Sequence, residues 1–60
     1  MEPKSWGQMV KQWRLERGLS QMALARLVGV SLVSIRLWEA DVSRPRPANE
    51  LRLMEIMGKS

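Results

Sequence analysis

The stretch Gln21-Met22-Ala23-Leu24-Ala25-Arg26-Leu27-Val28-Gly29-Val30-Ser31-Leu32-Val33-Ser34-Ile35-Arg36-Leu37-Trp38-Glu39 holds two short apolar segments on either side of a glycine. Leu24, Ala25 and Val28 recur at helical spacing and share one face, and Ile35 and Trp38 do the same beyond the glycine. Ser20 stands just before the first segment and Ser31 opens the second. A serine hydroxyl at such a place accepts from a backbone N–H that has no partner inside its helix. Gly29 ends the first segment, where a left-handed backbone costs glycine little. The pattern predicts a helix over 21–28 and a helix over 31–40 joined around a glycine, which is a helix-turn-helix.

Outward from this centre, Ser5 with Gln8 three residues on fits a capping box that starts a first helix. Trp6, Val10 and Trp13 lie at i, i+4 and i+7 with Met9 beside them, forming one broad apolar face. Such an aromatic stripe suits either base stacking or a core, and the spacing favours the core. Arg17-Gly18 closes the helix, and Leu19 then enters the core. Residues 40–47 carry Asp41, Ser43, Pro45 and Pro47 and read as a loop. Pro47 suits the first turn of a fourth helix over 48–57, with Gly58 as its stop signal. Leu51, Leu53, Met54, Ile56 and Met57 give that helix a wide apolar stripe.

No single helix here can bury its stripe alone. The expected solution is an all-α, compact bundle of four helices, or of five, around one core. The expected core is Trp6, Val10, Trp13, Leu19, Leu24, Ala25, Val28, Val30, Ile35, Trp38, Leu51, Met54 and Met57. Residues 1–4 are expected to form a disordered tip, and residues 5–58 one domain.

Sixty residues suffice for one small domain. A chain of that size buries only about 60% of the surface its unfolded form exposes, so its stability is marginal. It has no cysteine and no histidine, which removes disulfide staples and the common zinc sites. Asp41 is the only aspartate, and no carboxylate pair is clearly placed for acid–base work. Neither an enzyme activity nor a cofactor, metal or small-molecule ligand is expected. No apolar run approaches the ~20 residues that span a membrane. Met1-Glu2-Pro3-Lys4 is too polar for a signal peptide, so the expected location is the cytoplasm. Ten basic residues against six acidic ones give a net charge of +4. The sequence pI is near 10.8, above the rough threshold of 9 for a nucleic-acid-binding domain.

The pattern Gln21-x-x-Leu24-Ala25-x-x-x-Gly29-Val30-Ser31-x-x-x-Ile35-x-x-Trp38-Glu39 resembles the Cro/phage-repressor type of helix-turn-helix, also called XRE-like. The flanking Arg14-x-x-Arg17-Gly18-Leu19-Ser20 and the segment from Arg44-Pro45 to Gly58 resemble it too, so the likeness spans roughly residues 5 to 58. It implies a lambda-repressor-like bundle and a transcriptional regulator, such as a repressor, whose partner is double-stranded DNA. It also implies a homodimer on a two-fold operator. Relatives often carry a fifth helix for dimer contacts, expected here to be absent or to lie beyond residue 60.

In the resembled family the second helix of the motif enters the major groove. With Ile35 and Trp38 inward, steps of about 100° turn Val33, Arg36 and Leu37 outward, with Leu32 at the N-terminal edge and Ser34 on the opposite flank. The expected base contacts are therefore Leu32, Val33, Arg36 and Leu37. Only Arg36 can grip guanine O6 and N7 with two bonds; the aliphatics are limited to thymine methyl groups. This face departs from the polar residues common in the family. Expected DNA-backbone contacts are Gln21, Ser31, Ser34, Arg44 and Arg46. Gln21 opens a helix whose N-terminus favours phosphate, and the family's matching glutamine bonds the backbone. Arg44 and Arg46 lie among prolines that stiffen their loop. The resemblance also implies a structural ion pair between Arg14 and Glu39.

Each assignment has a plainer counterpart. Arg36 and Arg44 could be solvated charges, and Gln21 an exposed helix former. Exposed Leu32, Val33 and Leu37 also suit a protein-interaction module that kept the fold without the DNA role.

Overall fold

A computed structural model describes residues 4–58 of the chain. Of the expected terminal tip, residues 1–3 lie outside the described residues, and Lys4 is exposed. Four helices follow in order: α1 (Trp6–Glu16), α2 (Gln21–Val28), α3 (Leu32–Glu39) and α4 (Pro47–Gly58). The described residues contain no strand and no fifth helix.

Short-range chemistry sets most of the helix ends. Ser5 Oγ accepts from the Gln8 amide at 3.1 Å, and Gln8 Oε1 accepts from the Ser5 amide at 2.9 Å, completing the capping box of α1. Ser20 caps α2 by accepting from the Ala23 amide at 3.0 Å. Ser31 caps α3 by accepting from the Ser34 amide at 3.2 Å. Pro47 is the first residue of α4, where a missing N–H leaves no gap in the helix. At the end of α1, Gly18 is left-handed (φ 68°), its amide donates to the Leu15 carbonyl, and the Leu19 amide reaches back to Arg14. Gly29 ends α2 in the same left-handed region, with φ 85°.

The end of α3 has no glycine. Asp41 takes the left-handed conformation there, at φ 60°, and the Val42 amide reaches back to the Leu37 carbonyl at 3.0 Å. Aspartate tolerates this region better than most residues because its short side chain bonds locally. The helix accordingly covers 32–39, with Ser31 and Ala40 as caps rather than members. Gly58, read from the sequence as a stop, lies within α4 at the end of the described residues.

The two helices of the motif are bent 109° from each other, inside the about 90–120° range of helix-turn-helix units. Val10, Leu24, Ala25, Val28, Ile35, Trp38 and Leu53 make the buried core, with Trp6, Trp13, Val30, Ile56 and Met57 packed against it. Leu19 is half-buried. Trp6 meets Trp38 edge to face, with ring centroids 6.4 Å apart.

Helix α4 corrects the expected core. Leu51 and Met54 are each 61% exposed, whereas Leu53 is 1% exposed. Residues two apart on a helix lie about 200° from each other, so Leu51 and Leu53 cannot both face inward. Ile56 and Met57, at three and four residues from Leu53, share its face and complete the inward stripe. Burying an aliphatic chain such as Leu53 contributes about 1.5–3 kcal/mol. No single helix among the described residues is long and apolar enough to cross a membrane.

Candidate nucleic-acid interface

Ile35 and Trp38 are buried on one side of α3, and this fixes its opposite side toward solvent. Val33 is 59% exposed and Leu37 38%, Arg36 is exposed between them, and Leu32 is half-buried at the N-terminal edge. The hydroxyls of Ser31 and Ser34 lie 3.1 Å apart at the N-terminus of the helix. A hydroxyl pair beside free helix N–H groups can donate to an anion. The face thus offers one forked cation, two hydroxyls and three aliphatic side chains.

Gln21, Arg14 and Glu39 form one connected group. Arg14 Nε donates to Glu39 Oε2 at 2.7 Å, and Arg14 Nη2 donates to Glu39 Oε1 at 3.0 Å. Both residues are nearly fully buried. The third donor is Gln21, whose Nε2 reaches Glu39 Oε1 at 3.1 Å. Arg14 also donates from Nη1 to the Leu19 carbonyl at 2.9 Å, which fixes the α1–α2 connection. A two-pronged arginine–carboxylate pair is rigid, so the carboxylate gives Gln21 a firm anchor. Gln21 keeps one amide hydrogen and its carbonyl for another partner.

Arg44 is held elsewhere. Its guanidinium lies 4.4 Å above the Trp6 ring, and Nη2 donates to Glu50 Oε1 at 2.9 Å. The arginine side chain remains 58% exposed. Arg46 is exposed, and its carbonyl accepts the first hydrogen bond of α4, from Glu50. Among the described residues no three His, Cys, Asp or Glu side chains gather to hold a metal ion.

The family model for helix-turn-helix domains matches residues 10–60. The chain belongs to the Cro/phage-repressor type of helix-turn-helix proteins. No curated protein matches it significantly. Helix-turn-helix proteins of this type are DNA-binding transcription regulators and are typically not enzymes, and membership places this chain in that functional class.

The helix-turn-helix also rests on contacts that sequence reasoning did not foresee. The Gly7 amide donates to Asp41 Oδ1 at 2.9 Å, joining the first turn of α1 to the end of α3. A Cβ at Gly7 would collide with the Trp38 carbonyl and would come within 2.8 Å of the Glu39 carbonyl and of Asp41 Oδ1. A glycine inside an otherwise helical pattern is the one sequence signal of such a close approach. The Ser5 hydroxyl, and after it the Gly7 amide, hold the Asp41 carboxyl below its ordinary range; partial desolvation opposes them and Arg44 assists. Arg52 was also missed. From α4 its Nη1 donates to the Val28 carbonyl at 2.9 Å, at the last residue of α2.

Proposed function

We propose that this helix-turn-helix domain binds double-stranded DNA with sequence specificity, as a small transcriptional regulator, with α3 in the major groove. The observation that carries the reading is the orientation of α3. Its tryptophan and isoleucine are locked into the core while Val33, Arg36 and Leu37 stand in solvent. Arg36 grips guanine, and Leu32, Val33 and Leu37 pack on thymine methyl groups. Gln21, Ser31, Ser34, Arg44 and Arg46 bond phosphates and set the register of the domain on the duplex. Glu39 supports this arrangement, because it orients the Gln21 amide and leaves one of its hydrogens for a phosphate. For Arg44, a phosphate replaces Glu50 as the partner of an already stacked guanidinium. One domain covers half a site, and two copies on a near-palindrome complete it.

Selection of bound duplexes from a random library tests this reading. A two-fold consensus, with a guanine whose preference is lost in Arg36→Ala, is the expected result. Failure to enrich any sequence at low salt would sink it.

A second reading uses the same face for a protein partner. The observation that favours it is the aliphatic outward face of α3, where Val33 is 59% and Leu37 38% exposed. A chain that ignores random duplex at low salt, yet loses a bound protein in Leu37→Glu, would favour this alternative.

A further inference from the structure

The turn of the motif is held from outside by α4. Arg52 Nη1 donates to the carbonyl of Val28, the last residue of α2. Within the turn itself, the Gly29 and Val30 amides both go to the Ala25 carbonyl, at 2.8 and 2.9 Å. They leave the Val28 carbonyl to Arg52. A guanidinium there also meets the negative end of the α2 dipole. A Cβ at Gly29 would come within 2.9 Å of Arg52 Nη1. The demand for glycine at 29 comes from its left-handed backbone, and the Arg52 guanidinium lies close beside it. The rotation of α4 that buries Leu53 leaves Arg52 one residue away, about 100° around the helix, on the side of α2.

We infer that Arg52 is a positioning residue for DNA recognition: by bonding the last carbonyl of α2 it fixes the turn, and with it the angle at which α3 is presented to the groove. This inference rests on the DNA reading above. The physical reason is that α3 has only eight residues and is entered through that turn. A recognition face must hold its geometry within about half an ångström to keep two-pronged base contacts. Phosphate contacts depend less on that geometry, because they follow charge.

The test compares the parent with Arg52→Met and Arg52→Lys, at a temperature where circular dichroism shows all three folded. Each is titrated with the duplex selected from the random library and with a scrambled duplex, over a salt series. Amide exchange at Gly29 and Val30 is followed in parallel. In Arg52→Met the ratio of selected to scrambled affinity is expected to fall by on the order of tenfold, the weight of one charge-assisted hydrogen bond. The salt slope stays unchanged, and exchange at the two turn amides quickens. Arg52→Lys restores part of the ratio. An unchanged ratio in Arg52→Met, or a salt slope lowered by about one as for a phosphate contact, overturns the inference. A parent that binds neither duplex ends the DNA reading and this inference together, and differs plainly from a parent that binds while Arg52→Met keeps its ratio.

Discussion

The backbone amide of Gly7 lies 2.9 Å from the carboxylate of Asp41, thirty-four residues away in the chain. This one bond ties the entrance of α1 to the exit of α3. Beside it the backbone of α1 comes so close to the Trp38 and Glu39 carbonyls that a side chain at position 7 would collide with them.

Gly7→Ala is therefore expected to destabilise the domain. Helix propensity alone favours alanine by about 1 kcal/mol. Against that stand contacts with two backbone carbonyls of α3, which cannot swing aside as a flexible side chain would. Overpacking of this kind costs about 1–3 kcal/mol. Chemical denaturation checks the sign: a midpoint equal to or above the parent's would refute the close approach.

Asp41 makes stability depend on acid. Its folded-state pKa lies below the ordinary value of 3.8 because the Ser5 hydroxyl and the Gly7 amide bond its charged form. A depressed carboxyl contributes stability that is present above the unfolded value and is lost as pH falls through the folded one. Melting temperature should thus drop below pH 3.8. Asp41→Asn keeps an acceptor and tolerates the left-handed backbone, so it should weaken that acid dependence. The same acid dependence in both proteins would show that Asp41 is not its source.

Glu39 collects three donors, two from Arg14 and one from Gln21. Removing the carboxylate leaves a buried guanidinium unpaired, and Glu39→Ala should cost ~3–5 kcal/mol. Replacing both charges, as in Arg14→Met with Glu39→Leu, should recover much of that loss. Thermal melts decide the matter: Glu39→Ala melting no lower than the parent would rule out an ion pair that matters to folding.

Arg36 is expected to matter for recognition and not for folding, because its side chain faces solvent. Arg36→Ala should melt with the parent and lose ~1–3 kcal/mol of discrimination at one base pair. Competition between duplexes differing at single positions measures this. An unaltered preference at every position would return Arg36 to the status of a surface charge.

Arg44 should act on all sequences alike. Arg44→Ala is expected to lower affinity for selected and scrambled duplexes and to flatten the salt slope by about one unit. Its packing on Trp6 adds only about 0.5–1 kcal/mol of stability at an exposed site. An unchanged salt slope would leave Arg44 as a cap over Trp6 and nothing more.

The legible part of this protein is the part governed by neighbours in sequence. Ser5 with Gln8, Ser20, Ser31 and Pro47 announce helix starts because capping acts within three residues. The outward set on α3 follows from Ile35 and Trp38, since one helical period relates them all. The helix ends show the limit of this reasoning. Asp41 closes α3 where a glycine would have signalled the stop.

What only the tertiary structure decided is which of several locally equal choices wins. Five apolar residues crowd α4, and periodicity alone cannot say whether Leu51 or Leu53 turns inward; packing against the other helices puts Leu53 there. Similarly, nothing local reveals that Gln21 leans on Glu39, that Arg44 lies over Trp6, or that Arg52 reaches the end of α2. Capping and periodicity are short-range effects written in adjacent residues. The rotation of a helix about its axis, and the partner of a long polar side chain, depend on surfaces brought together only when the chain folds.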